Sequence, residues 1–227
     1  MSNTIDLLHS LNIKTNSLEL YEMALTHPSC NADNKTKHKD YERLEFVGDS
    51  VLGFVTADLI FNCHNDMNQG HMSKLRSFLV CSKSLANYAR VYKIVDYVKT
   101  GHSISKDQLY KSDKILEDVF EALIGAIYLD LGFEDAYRTI KNIFSEDIKN
   151  TKIDDVIDAK TRLQEDIQAE YRDEVRYVLI SEEGPAHDRT FTVEVRFNDL
   201  TLGRGKGKSK KMAEEAAARD ALSKRSV

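Results

Sequence analysis

Two short segments carry acidic side chains at spacings that could support chemistry. In the first, Glu42-Arg-Leu-Glu-Phe-Val-Gly-Asp49, the three acids fall on one stripe about 60° wide if the segment is helical. In the second, Asp118-Val-Phe-Glu121, the two acids are three residues apart and share a helix face in the same way. The residues around them are mostly apolar, so we expect both helices to be buried.

Carboxylates that lie together away from water repel one another unless a cation lies between them. The candidate ligands are all hard oxygens without a nearby His or Cys cluster, which favours Mg²⁺, or Mn²⁺ as a substitute, over zinc. Carboxylate-bound magnesium is typical of phosphodiester hydrolysis. Small residues would let the two helices approach closely: Gly48, Gly53, Ala122 and Gly125. The pattern alone leaves open the alternative that these are surface acids of amphipathic helices.

A basic segment near the C-terminus is a second candidate for function. Five cations lie within eight residues: Arg204, Lys206, Lys208, Lys210 and Lys211. The segment from Gly205 predicts a glycine-rich basic loop that leads into a helix capped by Ser209, and the amides at a helix start favour anions. Lys210 and Lys211 oppose the helix dipole there, so phosphate binding explains them better than helix stability does. A solvated basic turn is the alternative.

Other polar residues of this region suit duplex RNA. Thr161, Gln164 and Glu165 share one face of a predicted helix and could contact 2′-hydroxyls, which both donate and accept hydrogen bonds. His187, in a loop between two predicted strands, could reach a neighbouring minor groove. Aromatic residues are not interleaved with the basic stretch, which disfavours a stacking platform for single strands.

The elements that must position these residues divide the chain into two domains. Over residues 1–152, apolar residues recur at three- and four-residue spacing and predict an all-α domain, with helices near 4–10, 18–26, 39–61, 71–80, 82–90, 106–131 and 133–149. A polar stretch at 153–157 predicts a linker. Residues 158–227 predict a small α+β domain of order α-β-β-β-α, with helices at 160–170 and 209–224 and strands at 176–181, 190–197 and 200–205.

Composition limits the compartment and the partners. No apolar run reaches the roughly 18–20 residues of a membrane span, and the N-terminus lacks a secretory signal pattern. Three widely spaced cysteines predict a reducing compartment, the cytosol. The net charge of −5 arises within residues 1–157, because residues 158–227 hold 14 basic and 14 acidic residues. Local charge, not the total, decides where a polyanion can bind.

The motifs together resemble the ribonuclease III family. Residues 42–52 are similar to that family's signature, and residues 118–128 to its second acidic segment. Residues 159–225 resemble a double-stranded-RNA-binding domain, so the resemblance covers nearly the whole chain and matches the minimal bacterial-type enzyme. It implies four metal ligands: Glu45, Asp49, Asp118 and Glu121. Among these, Asp49 and Glu121 should be the least replaceable, and Glu42 would help to position substrate or water.

The resemblance also implies an activity and an assembly. The family acts as a homodimer in which each subunit cuts one strand of duplex RNA, leaving 5′-phosphates, 3′-hydroxyls and short 3′ overhangs. In a bacterial cell this implies processing of ribosomal RNA precursors and messenger RNA, whereas in some viruses the same architecture would suppress RNA silencing. One departure is Gln69, which occupies a position where many bacterial members have a Glu of an outer acidic set.

Two other classes of function stay open at this point. The chain could be a non-catalytic protein that binds and shields double-stranded RNA, or a helical scaffold in a larger assembly. Clustered negative charge beside a polyanion brings no benefit to a pure binding protein, so the acids favour the nuclease.

Overall fold

The computed structural model describes residues 4–33, 39–151, 156–185 and 188–225. The chain forms two compact units, Met1–Thr151 and Lys152–Val227. Residues 153–155 of the predicted linker lie outside the described residues, as does His187. Within the described ranges, no helix combines the length and the apolar character that crossing a lipid bilayer requires.

The first unit is built from helices, which confirms the predicted all-α domain. They are α1 Thr4–Ser10, α2 Leu18–Ala24, α3 Ser29–Asp33, α4 Glu42–Cys63, α5 Gln69–Leu79, α6 Ser82–Val91, α7 Lys106–Lys111, α8 Asp113–Leu131 and α9 Phe133–Asn150, with a short 3₁₀ helix at Ile94–Tyr97. The prediction of one helix over 106–131 was wrong. The chain breaks at Ser112, whose hydroxyl accepts a hydrogen bond from the Ile115 N–H (3.3 Å) and so caps α8 as a separate helix. The short α3, directly after Pro28, was not predicted.

Helix α8 is the centre of this unit. Eleven of its residues are buried, including both of its predicted site acids, Asp118 and Glu121. Its Phe120 packs with Tyr88 of α6 and Phe144 of α9, with ring centroids 6.0 and 6.4 Å away, and those two rings lie 4.8 Å from each other. Because aromatic side chains bury a large apolar area, this cluster fixes the helix on one side while α4 covers the other.

Helices α4 and α8 are in backbone contact where they cross. A Cβ atom on Gly48 would lie 1.8 Å from the backbone oxygen of Glu121, and one on Gly125 would lie 2.2 Å from the backbone oxygen of Leu44. The prediction that small residues let these helices approach is therefore confirmed for Gly48 and Gly125. It was wrong for Gly53, where an added Cβ would meet nothing within 4 Å.

Helix α4 is less buried than its composition predicted. Phe46, Phe54 and Phe61 are 78%, 61% and 65% exposed, and the acids Glu42 and Asp49 are also exposed. The expectation of burial failed because these phenylalanines do not contribute to the core of the unit. They form a surface, which we call the phenylalanine stripe of α4.

The second unit has the predicted order α-β-β-β-α. It consists of α10 Ala159–Tyr171, β1 Arg176–Glu183, β2 Thr190–Phe197, β3 Leu200–Gly207 and α11 Lys210–Arg225. The strands form an antiparallel sheet of order β1-β2-β3. Both helices pack on one face of it, around a core of Ala159, Leu163, Ile167, Val193, Val195, Ala213, Ala217, Ala218 and Ala221.

The strand predicted at 200–205 is confirmed, and β3 continues to Gly207, so the prediction of a loop was wrong for Lys206 and Gly207. Added Cβ atoms on Gly203, Gly205 and Gly207 would lie 2.5, 2.1 and 2.6 Å from backbone atoms of α11. The glycines therefore let the alanine face of α11 lie directly on β3, while Arg204 and Lys206 between them are exposed. The alternation of glycine and cation has the two-residue period of a strand and continues to Gly207, two residues past the predicted end of the strand.

We expect Gly48→Ala to destabilise the first unit by about 3 kcal/mol, because an overpacked crossing must separate two helix backbones. Urea unfolding followed by circular dichroism measures this loss. The control is Gly53→Ala in the same helix, where the methyl group enters open space and should raise stability by about 0.5–1 kcal/mol. Equal unfolding midpoints for the two variants would contradict the close crossing.

Candidate metal centre and nucleic-acid interface

Three carboxylates meet at the crossing of α4 and α8. Glu45 from α4 and Asp118 and Glu121 from α8 each contribute one oxygen, and these oxygens lie within 4.8 Å of one another. Asp118 and Glu121 are each only 7% exposed. Among the described residues no His or Cys joins this group, which we call the acidic cluster. Its donor set of hard oxygens on two rigid helices fits Mg²⁺ or Mn²⁺.

The cluster forms because of local features of both helices. Asp118 and Glu121 share a stripe of α8, and the glycine crossing brings Glu45 of α4 to the same point. Tyr41, just before α4, donates its hydroxyl to Asp118 Oδ2 at 3.4 Å. Its backbone N–H donates to the Thr26 carbonyl at 3.1 Å, which fixes the start of the helix. Tyr41 was not among the predicted site residues.

The acidic cluster contains more negative charge than its surroundings stabilise. The pKa of Glu121 is raised to about 8, mainly by burial, with the nearby charges of Asp49, Glu117 and Glu45 contributing in the same direction. Burial also raises the pKa of Glu45, with Asp118 contributing. Raised carboxyl pKa values mean that the ionised cluster is costly unless a cation is added.

A lysine that the sequence analysis missed lies against these acids. Lys114 Nζ is 2.6 Å from Asp118 Oδ1, 3.6 Å from Glu117 Oε2 and 3.8 Å from Glu45 Oε1. Lys114 and Asp118 are four residues apart on α8, the spacing at which helical side chains meet. The position four residues before Asp118 could therefore have been identified from the sequence as a contact of that acid.

The other predicted site residues of the first unit lie outside the acidic cluster. Asp49 is exposed one turn further along α4, close enough for its charge to raise the pKa of Glu121. Glu42 is exposed in the first turn of α4. Gln69 is exposed at the start of α5, where its side-chain amide donates to Ser73 Oγ at 3.2 Å. Their functional roles stay predictions.

In the second unit, exposed lysines surround the start of α11. Ser209 Oγ accepts a hydrogen bond from the Met212 N–H at 3.2 Å, which confirms the predicted N-cap. Lys208 pairs with Asp188 Oδ1 at 2.6 Å. Lys210 and Lys211 are exposed and form no ion pair with any residue that the structure describes. Two uncompensated cations at a helix start leave this surface attractive to phosphate.

The predicted contacts on α10 partly serve the fold. Thr161 Oγ1 donates to Asp158 Oδ2 at 2.8 Å within the cap of the helix, and Gln164 Oε1 accepts from the Val175 N–H at 3.2 Å. Gln164 is half-buried and Glu165 is exposed. The RNA contacts of all three side chains stay predictions.

Comparison with known proteins identifies both units. The family model described as "Ribonuclease-III-like" matches residues 17–148, and the double-stranded RNA binding motif matches residues 159–225. A protein named ribonuclease 3 from Onion yellows phytoplasma is 39% identical over 99% of this chain and 92% of its own length. The ribonuclease 3 of Listeria monocytogenes is 36% identical over 99% of this chain and 98% of its own.

Solved structures show the same relation for the first unit. The nuclease domain of ribonuclease III from Campylobacter jejuni superposes with a TM-score of 0.59 at 32% identity, covering 67% of this chain and all of that one. A second structure of that domain gives a TM-score of 0.56 at 35% identity over 63% of this chain and 99% of that one, and its description refers to a region involved in dimer formation.

The raised pKa of Glu121 predicts how the metal-free protein responds to pH. Its carboxyl group is favoured in the protonated form, so the stability it contributes is complete below its ordinary pKa of 4.5 and is lost as the pH rises through about 8. Glu121→Gln removes this loss. In EDTA at pH 8.5 we expect it to be roughly 2–4 kcal/mol more stable than the wild type, with a much smaller difference at pH 5.

Urea unfolding at both pH values measures this difference. Glu146→Gln, an exposed change on α9, is the control and should follow the wild type at either pH. A Glu121→Gln advantage that is the same at pH 5 and pH 8.5 would show that the effect is not electrostatic.

Proposed function

The chain belongs to the ribonuclease III family, in its minimal bacterial-type form, and we propose that its acidic cluster hydrolyses double-stranded RNA with bound Mg²⁺. One observation carries the proposal: Glu45, Asp118 and Glu121 converge from two helices whose backbones touch. The family assignment makes the chain an endoribonuclease that acts on double-stranded RNA.

In this proposal four of the acids are metal ligands and a fifth positions the reactants. Glu45, Asp118 and Glu121 would hold the ion, with Asp49 as a fourth ligand, and the bound ion would lower the pKa of a water molecule and offset phosphate charge. The buried position of Asp118 and Glu121 fixes their oxygens and keeps bulk water from solvating them. Without added positive charge, the Glu121 carboxyl group holds a proton near neutral pH. Glu42, exposed beside the cluster, would orient the RNA or the attacking water.

We propose that the products and natural substrates are those that the resemblance to the family implies. We assign 5′-phosphate and 3′-hydroxyl ends with short 3′ overhangs, and ribosomal RNA precursors and messenger RNA as substrates. The similar ribonuclease 3 proteins come from bacteria, phytoplasma and Listeria among them, which favours RNA processing in a bacterial cytoplasm over suppression of silencing by a virus.

We also propose a homodimer formed through α4. The phenylalanine stripe, Phe46, Phe54 and Phe61, leaves three large apolar side chains in water, which a stable monomer rarely does on one helix face. The stripe spans about 80° of the helix and lies next to the face that carries the acids. A second copy bound here would lie beside the acidic cluster, consistent with two strands being cut by two sites.

To test the dimer, Phe54→Glu places a charge in the phenylalanine stripe. We expect a folded monomer in sedimentation equilibrium, with at least a tenfold loss of cleavage, because a buried unpaired carboxylate opposes association. Val91→Glu makes the same change at another exposed apolar residue, 64% exposed on α6, and should stay dimeric. A dimeric Phe54→Glu protein would exclude this surface as the interface.

Cleavage of a long RNA duplex tests the chemistry. We expect the wild type to fragment the duplex in Mg²⁺ and to bind it without cutting in Ca²⁺, while Glu121→Gln binds in both ions and cuts at least a hundredfold more slowly. A gel shift beside the cleavage assay separates the two properties. Equal cutting by both proteins would refute the role of the acidic cluster, and binding without cutting by the wild type in Mg²⁺ and Mn²⁺ would leave the non-catalytic alternative.

Lys210 and Lys211, which form no ion pair within the described part of the chain, should supply part of the RNA affinity. We expect Lys210→Ala with Lys211→Ala to weaken binding about tenfold or more and to reduce the slope of log affinity against log salt by about 2, since each phosphate contact releases counterions. Arg219→Ala with Lys224→Ala removes two cations of the same helix that already pair with acids, Glu215 and Asp220, and should change the slope little. Identical slopes for the two double variants would remove Lys210 and Lys211 from the contact surface.

A further inference from the structure

We propose that Lys114 is the resident counter-ion of the acidic cluster: it binds Asp118 while the metal is absent and must leave that carboxylate before the metal can bind. The inference rests on the proposed metal centre and adds a residue that sets how tightly this chain holds the ion. No assigned ligand or substrate contact includes Lys114.

The geometry places the ammonium group where a cation is needed. Its nitrogen lies 2.6 Å from Asp118 Oδ1, at ion-pair contact, and 3.6 to 3.8 Å from oxygens of Glu117 and Glu45. It therefore contacts acids of both helices, and two of these three acids, Asp118 and Glu45, belong to the acidic cluster. Lys114 is thus a tethered cation that stands in for part of the charge of a divalent ion.

Lys114 and a metal ion cannot both occupy this position. Asp118 Oδ1 would have to serve an ammonium at 2.6 Å and a divalent cation at the same time, which brings like charges to within a few ångströms. A contact made only in the metal-free state stabilises that state, so it lowers the affinity for the metal by the same factor. Lys114 should therefore weaken metal binding while it stabilises the metal-free fold.

The surroundings allow the lysine to move. Its side chain is 68% exposed, so it can turn toward solvent without opening the core. Glu117, whose carboxylate lies 3.6 Å from the Lys114 ammonium, is not a member of the acidic cluster. A lysine displaced from Asp118 can keep Glu117 as a partner, so the exchange does not leave its charge uncompensated.

Binding of Mn²⁺ to the full-length protein, followed by the electron paramagnetic resonance signal of the free ion, tests this inference. We expect Lys114→Met to bind Mn²⁺ roughly tenfold more tightly than the wild type, because one opposing charge a few ångströms away is removed. In EDTA the same variant should unfold at a lower temperature, and added Mn²⁺ should reverse the order. Lys114→Gln repeats the test with a polar side chain, and Lys114→Arg, which keeps the charge, should bind as the wild type does.

The matched control is Lys111→Met. Lys111 forms an exposed ion pair with Asp107, also four residues apart, at 2.8 Å on α7, so the variant loses the same charge and the same type of contact. Its Mn²⁺ affinity should equal that of the wild type. Unchanged or weaker binding by both Lys114→Met and Lys114→Gln would overturn the counter-ion role. A wild type that binds no Mn²⁺ would overturn the metal centre itself, and with it this inference.

Discussion

Carboxylates held together out of water, at a crossing where two helix backbones touch, are the constraint on which this molecule depends. Gly48 and Gly125 permit the contact, and the contact forces Glu45, Asp118 and Glu121 into one small volume. The raised pKa of Glu121 expresses the cost of that arrangement. Such a site favours the binding of a cation. The bound ion offsets the repulsion between the carboxylates and so recovers the free energy that was lost when folding brought them together.

The same helix carries a second surface next to the first. One stripe of α4 presents acids, and the neighbouring phenylalanine stripe presents Phe46, Phe54 and Phe61 to solvent. In the proposed function α4 carries site acids, a core face and a dimer interface, which would explain why its composition resembles that of a fully buried helix. Assembly and chemistry are therefore linked through one rigid element, since a subunit bound on the stripe would form one wall beside the acids.

Features that depend on the local residue pattern could be predicted from the sequence. Features that depend on which residues lie nearby in the folded chain could not. Apolar periodicity and the α-β-β-β-α order gave both fold classes, and the paired acids with Gly48 and Gly125 gave the helix crossing. The exposure of the phenylalanines was missed because apolar periodicity does not distinguish a core from an interface. Lys114 was missed because a lone lysine on a helix is usually solvated, although its spacing from Asp118 is that of a helical ion pair. The break at Ser112 depends on a side-chain cap that the continuous periodicity of 106–131 conceals.

The electrostatics of the two units are complementary for a polyanionic substrate. Residues 1–157 carry the whole net charge of −5, so this part of the chain repels RNA at long range. Residues 158–227 have no net charge, yet they expose Lys210 and Lys211 without acidic partners among the described residues. In the proposed function, the lysines at the start of α11 attract the RNA, and the acidic cluster with its bound cation hydrolyses it. Separating the two functions into two units lets the acidic cluster be as negative as metal binding requires without losing the substrate.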